Sequence, residues 1–205
     1  SGLPCIFVRL RGCPLRCNYF DTSYAFHEGT KISIEDILKQ IQSLKTPLIE
    51  VTGGEPLLQQ NVHLLIDTLL DSGHQVLLET SGERDISVCD PRVYRIVDIK
   101  TPCSGAAGSF LESNYDALSS IDEVKFVICT CEDFDWAIGI VQEHALIERV
   151  NAVHFSPVME QPSDDFIQGC GSLDPAELSD WILKSGLAIR MHLQVHKYIW
   201  PPQTR

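Results

Sequence analysis

The sequence predicts an α/β protein built as an incomplete parallel (β/α) barrel. Two observations carry this reading. Strand-like and helix-like stretches alternate almost from end to end, which argues for a parallel sheet covered by helices. Polar and charged residues then collect where the strand-like stretches end, the face at which such barrels gather functional groups. A length of 205 residues suits one domain spanning 1–205. About seven strands with few long insertions suit a barrel that does not close. No Gly-x-Gly-x-x-Gly turn follows the first strand, which weakens a dinucleotide-binding reading.

The elements follow in order. "CIFVRLRG" (5–12) reads as the first strand. Residues 33–44 read as a helix: Ser33 suits the N-cap, Asp36 sits three later, and Ile34, Ile37, Leu38, Ile41 and Leu44 line one face. "PLIEVTGG" (47–54) is a strand running into a glycine pair, and residues 62–73 are a helix stopped by Gly73. "QVLLETSG" (75–82) and "YRIVDIKTP" (94–102) are strands, followed by a looser stretch containing helix. Residues 122–129 form a strand, 132–145 a helix and 151–158 a strand. In 174–186 Asp174 caps a helix, Pro175 opens it and Gly186 ends it. "AIRMHLQVHKYIW" (188–200) closes the series as a strand. The strand ends then carry Gly53-Gly54-Glu55, Glu79-Thr80-Ser81, Lys100-Thr101, Ser156 and His196, which predicts one shared pocket.

Composition narrows the function. A net charge of −12 argues against a broad nucleic-acid footprint. No apolar run is long enough to span a bilayer. The N-terminal stretch lacks the pattern of an export signal, so a cytoplasmic location with reduced thiols is expected. The chain starts abruptly in a strand, and further residues upstream of it are expected. Eight cysteines stand at 5, 13, 17, 89, 103, 129, 131 and 170, and most read as small buried hydrophobes.

Two stretches carry chemistry. Cys13 and Cys17 lie four apart in the loop after the first strand, and thiolates so placed can hold a soft metal centre. Two cysteines alone leave open ordinary thiols, or half of a zinc site completed by His27 or Asp21. "EVTGGEP" (50–56) adds a glycine pair at a strand end, where a ligand can approach bare backbone, and Glu55, whose carboxylate can meet an ammonium. The alternative there is a tight turn with a solvated glutamate.

Together these stretches resemble the radical S-adenosylmethionine (SAM) superfamily, whose members carry Cys-x3-Cys-x2-Cys after the first strand and Gly-Gly-Glu after the second. The resemblance narrows to the 7-carboxy-7-deazaguanine synthase family. "GLPCIFVRLRGCPLRCNYFDTSYAF", "EVTGGEPLLQ", "LLETSG", "VDIKTPCSG", "DEVKFVIC", "HFSPV" and "LQVHKYIWPPQTR" follow that family's order over nearly the whole chain.

The resemblance implies a [4Fe–4S] cluster on Cys13 and Cys17, SAM, and Mg²⁺ at Thr22. It places Tyr19 near the adenine, Gly53, Gly54 and Glu55 at the methionine ammonium, and Thr80, Ser81 and Lys100 along the rest of SAM. Arg9 matches a substrate-binding arginine. His196 is either a substrate contact or a packed strand histidine. The implied reaction is ring contraction of 6-carboxy-5,6,7,8-tetrahydropterin to 7-carboxy-7-deazaguanine with loss of ammonia, for queuosine-type deazapurine synthesis. An electron donor such as flavodoxin and a homodimer are implied with it.

One position departs from the pattern. Phe20 stands where the family has its third cluster cysteine, and a phenyl ring has no lone pair for iron. The expectation is a normally folded barrel largely without cluster and with little or no activity. The competing readings are a radical SAM activase that acts on a partner protein, and a cluster-less SAM- or pterin-binding protein.

Overall fold

A computed structural model describes residues 2–18, 29–159 and 171–199, with the His196 side chain left out. Seven strands form one sheet in the order β1-β2-β3-β4-β5-β6-β7: Ile6–Leu10, Leu48–Gly53, Gln75–Thr80, Tyr94–Asp98, Glu123–Ile128, Ala152–Pro157 and Ile189–Met191. Every neighbouring pair is parallel, and β1 and β7 stay as edges, so the barrel is open as expected. Each strand returns to its neighbour's side through a crossover, the arrangement that parallel pairing requires.

The helices are α1 (Ile34–Gln42), α2 (Val62–Asp71), α3 (Asn114–Ala117), α4 (Cys131–Glu143), α5 (Leu146–Arg149), α6 (Pro175–Ser185) and α7 (His196–Ile199). Their ends follow local chemistry. The Ser33 hydroxyl accepts the Asp36 N–H at the start of α1, Thr130 accepts the Asp133 N–H at α4, and Asp174 accepts the Ala176 N–H at α6. Gly186 ends α6 at φ 66°, a left-handed position that glycine takes without strain.

Strand alternation sorts side chains into two faces. The outer face carries Ile49 and Val51, Val76 and Leu78, Val97, Val124, Phe126 and Ile128, Val153 and Phe155, and Ile189, all buried. Leu65, Ile66 and Leu69 of α2 cover one half of it, and Phe134, Ala137 and Val141 of α4 with Leu178 and Ile182 of α6 cover the other. Full burial of such side chains stabilises by about 1.5–3 kcal/mol each, so this layer holds the fold. Arg95 is the charged residue in that layer. Its guanidinium donates to both Asp122 oxygens, at 2.9 and 2.6 Å, and to the Ile86 carbonyl at 2.8 Å, which satisfies a buried ion pair in full.

The last strand is shorter than the sequence suggests. β7 ends at Met191, and residues 196–199 turn into α7, with Tyr198 and Ile199 N–H groups both donating to the Val195 carbonyl. His196 therefore does not sit on a strand end, and four strand ends, rather than five, carry the predicted polar groups. In hindsight Val195, Tyr198 and Ile199 lie at helical spacing rather than strand alternation.

Candidate functional site

The loop after β1 and the turn after β2 are stitched together. Gly54 N–H donates to the Leu10 carbonyl at 3.0 Å, and Glu55 N–H donates to the Gly12 carbonyl at 2.7 Å. A Cβ on Gly53 would overlap the Leu10 carbonyl, and one on Gly54 would overlap the Gly12 carbonyl. The glycine pair thus admits the chain's own backbone, the segment that leads into Cys13. Their close neighbour among the described residues is the backbone of β1 and its loop.

Glu55 also differs from its expected setting. It is fully buried, with no accessible surface. Oε1 accepts from Thr80 Oγ1 at 2.9 Å and Leu57 N at 3.0 Å; Oε2 accepts from Ser81 N at 2.8 Å and Ser81 Oγ at 2.7 Å. These four donors fill the acceptor positions of a carboxylate. Thr80 and Ser81, placed along SAM by the resemblance, are brought to Glu55 itself. The alternative of a solvated glutamate is ruled out by this burial, and Glu55 ties the ends of β2 and β3 together.

Cys13 is half-buried and Cys17 buried, and both are free thiols. Burial raises both thiol pKa values, while the nearby Lys100 ammonium pulls them down. Lys100 pairs with Asp98 at 2.9 Å. Asn18, just beyond Cys17, anchors the loop: its backbone N–H donates to the Ser104 carbonyl at 2.8 Å and its side chain to the Cys103 carbonyl at 2.9 Å. Tyr19, Phe20, Asp21, Thr22 and His27 lie outside the described residues.

A second group of ligand-type atoms, on Cys103, Cys129 and Asp133, gathers within 4.8 Å. Asp133 there accepts the N–H groups of Cys103 at 2.9 Å and Cys129 at 3.1 Å, and Cys129 is disulfide-bonded. That bond departs, at this position, from the expectation of reduced thiols. With both carboxylate oxygens engaged by backbone, the group reads as a structural joint between the ends of β4 and β5.

The inner face of the sheet carries most of what sequence reasoning left out. Strand register sets Arg9 beside Thr52 and Asp98 beside Lys125, and puts His154 beside both Lys125 and Arg190. Lys125 Nζ lies 2.8 Å from Glu79 and 3.8 Å from Asp98, and Thr52 Oγ1 donates to Glu79 at 3.2 Å. Burial pulls Lys125 toward neutrality, but Glu79 and Asp98 outweigh it and hold the ammonium above its usual pKa. Lys125 in turn holds Glu79 down to about 2. Burial, followed by the nearby Glu79 charge, pushes Glu50 up to about 8. His154 Nε2 sits 2.9 Å from Glu123, whose pKa that contact lowers. Burial, then Lys125, lowers His192 to about 4, so it is neutral at pH 7.

Asp98 Oδ1, His154 Nδ1 and His192 Nδ1 are buried without a hydrogen-bond partner among the described residues, and all three side chains belong to this wall. A wall of paired ions with unpaired polar atoms suits a polar, charged small molecule. The signal was present in the sequence as single titratable residues within apolar strands: Glu50 in "IEV", Glu79 in "LET", Lys125 in "VKF" and His154 in "VHF".

Comparison with known proteins places the architecture. Residues 7–97 match the Radical SAM superfamily. The 7-carboxy-7-deazaguanine synthase of Koribacter versatilis is 42% identical over 208 residues, covering 100% of this chain and 92% of that protein. The chain belongs to the 7-carboxy-7-deazaguanine synthase family. The Chlorobaculum tepidum synthase is 39% identical over 100% of this chain and 89% of its own length. The crystal structure of QueE from Escherichia coli covers 95% of this chain and 86% of that chain, with a TM-score of 0.69 at 22% identity, a likeness of fold.

This is a family of radical SAM lyases that work with a [4Fe–4S] cluster, SAM and Mg²⁺, and the full-length relatives do not favour the activase reading. The described residues hold two free thiols, Cys13 and Cys17, at the positions expected of cluster ligands, and position 20 of the sequence is Phe. The donor set is one thiolate short of the three-cysteine site. No helix among the described residues is long and apolar enough to cross a membrane.

Proposed function

We propose that the chain is shaped for radical SAM ring contraction of 6-carboxy-5,6,7,8-tetrahydropterin to 7-carboxy-7-deazaguanine with loss of ammonia, and that Phe20 suppresses that activity. The observation that supports it is full-length similarity to the synthases together with an inner wall of paired ions suited to a charged pterin. On this reading Arg9 and His196 contact substrate, Thr22 holds Mg²⁺, and Tyr19, Gly53, Gly54, Thr80, Ser81 and Lys100 surround SAM. Glu55 belongs to the SAM site through the groups it fixes. A ligand ammonium reaches its carboxylate only by displacing one of the four donors. The proposed setting is a single-domain cytoplasmic homodimer served by a small electron donor such as flavodoxin.

The test compares the chain with its Phe20→Cys variant, both purified anaerobically and reconstituted with iron and sulfide. The variant should hold about four irons and four sulfides per chain. It should also cleave SAM and convert the pterin, while the Phe20 chain should hold little iron and do neither. Full cluster loading and equal turnover by the Phe20 chain would mean a different third donor exists. A loaded variant that cleaves SAM but leaves the pterin untouched would overturn the substrate.

A further inference from the structure

The corner of the inner wall where β5, β6 and β7 meet holds polar atoms that no predicted site residue uses. His154 on β6 sets its Nε2 2.9 Å from Glu123 Oε2. Glu123 is held in turn. Its Oε1 accepts from the Asn151 side chain at 3.1 Å, and the Asn151 backbone N–H donates to the Asp122 carbonyl at 2.8 Å. A carboxylate only accepts, so Nε2 carries the hydrogen of its bond to Glu123. In the neutral imidazole the other nitrogen, Nδ1, then offers a lone pair. That nitrogen is buried and has no partner among the described residues. His192, just after β7, stands edge-on to His154 with ring centroids 5.7 Å apart, and its Nδ1 is buried and unpartnered among them too. A buried polar atom without a hydrogen bond costs free energy, so two in one corner mark a place that a ligand completes.

Strand register adds a donor. Lys125 and Arg190 flank His154 on its two sides. Lys125 is taken by Glu79 and Asp98, whereas Arg190 is exposed and has no ion pair among the described residues. An acceptor and a spare donor thus stand side by side on neighbouring strands. We propose that this corner reads the lactam edge of the pterin. His154 Nδ1 accepts the ring N3–H, Arg190 donates to the adjoining carbonyl oxygen, and Glu123 acts through His154 as a positioning residue that fixes the tautomer. A lactam sets an N–H beside a C=O, which matches an acceptor beside a donor, and a ligand without that N–H leaves the buried Nδ1 unpaired. The ligand rests on the function proposed above; the fixed tautomer does not.

The test uses the chain as it stands, with SAM and Mg²⁺ present. Calorimetry compares 6-carboxypterin with its N3-methyl form, which has no hydrogen to give at that position. The native chain should bind the methylated probe about tenfold more weakly, the upper range for one net hydrogen bond. His154→Phe keeps a ring of similar size, and so the same steric cost of the methyl group, but removes the acceptor. It should bind the two probes nearly alike. Nitrogen-15 spectroscopy of the imidazoles, with the His154 signals assigned by their loss in His154→Phe, should show Nε2 protonated and Nδ1 bare in the ligand-free chain. The Nδ1 signal should move when 6-carboxypterin binds. Glu123→Ala should let the two tautomers mix and weaken 6-carboxypterin about twofold, the cost of a half-populated competent form. Glu123→Gln, whose amide oxygen still accepts from Nε2, should restore both. The same ratio of affinities in the native chain and in His154→Phe overturns the contact and leaves the pterin assignment standing. A ligand-free His154 with its hydrogen on Nδ1, or on both nitrogens, overturns the fixed acceptor. Binding of neither probe overturns the pterin assignment and the contact with it.

Discussion

The two faces of the sheet obey opposite rules. The outer face is nearly all Val, Ile, Leu and Phe, and its one cation, Arg95, is paired on every side. The inner face sets Glu50, Glu79, Asp98, Lys125, His154 and His192 near one another, and three of its polar atoms have no partner among the described residues. Same strands, alternate residues: the fold is held on one side and the chemistry is kept on the other. Changes on the outer face should therefore move stability and leave binding alone. Inner-face changes should move binding first, and they should cost stability chiefly where they leave a buried charge without its partner.

The sharpest break in this comparison is Phe126→Ala. Phe126 is fully buried on the outer face, 5.4 Å from the Phe155 ring and 6.3 Å from Trp136 between centroids. Removing it should lower unfolding free energy by about 3–5 kcal/mol. Denaturant titration measures the loss, and pterin affinity at low temperature should stay within error of the parent. A matching loss of affinity would mean the two faces are not separable.

Glu55→Gln tests the residue that ties the end of β2 to the end of β3. An amide nitrogen in place of one oxygen meets N–H and O–H donors where an acceptor is needed. Stability should fall by about 1.5–3 kcal/mol, the range for hydrogen bonds to a charged group. SAM affinity should fall as well, since Thr80 and Ser81, proposed to surround SAM, are held in place by the Glu55 carboxylate. Unchanged stability would show that Glu55 is not what holds the ends of β2 and β3 together.

The same contrast explains what could be read before the fold was seen. The outer layer was legible because burial imposes a period of two on strands and of three to four on helices, and Ser33, Asp174 and Gly186 mark helix ends by local chemistry. Gly53, Gly54 and Glu55 stood out as special, but their partners Leu10, Gly12, Thr80 and Ser81 are set by strand order, which no local pattern states. Glu50 reads in isolation as an ordinary strand glutamate. Only the lateral order of β2, β3, β4 and β5 brings it near Glu79 and Lys125. The turn of residues 196–199 into a helix was hidden because a run of large apolar residues satisfies either period.

The smallest expected effect is on how stability depends on pH. The outer layer is apolar apart from the Arg95–Asp122 pair, and the shifted carboxyls Glu50 and Glu79 stand on the inner wall. Glu79 is held near 2, below its unfolded value of 4.5. Its contribution is present above pH 4.5 and is lost as pH falls through 2. Glu50 has the opposite sign. Its folded value of about 8 lies above 4.5, so its contribution is full below pH 4.5 and drains away as pH rises toward 8. Glu50→Gln removes that drain, because the amide mimics the protonated acid at every pH. Relative to the parent, the variant should gain stability between pH 5 and pH 8 by at least about 1 kcal/mol, under one unit's worth of proton linkage in a wall that water partly screens. Urea titrations of both proteins at pH 5, 6.5 and 8 measure the difference. A gap that stays constant, or closes as pH rises, would place the proton elsewhere and would return Glu50 to the set of plainly ionised wall residues.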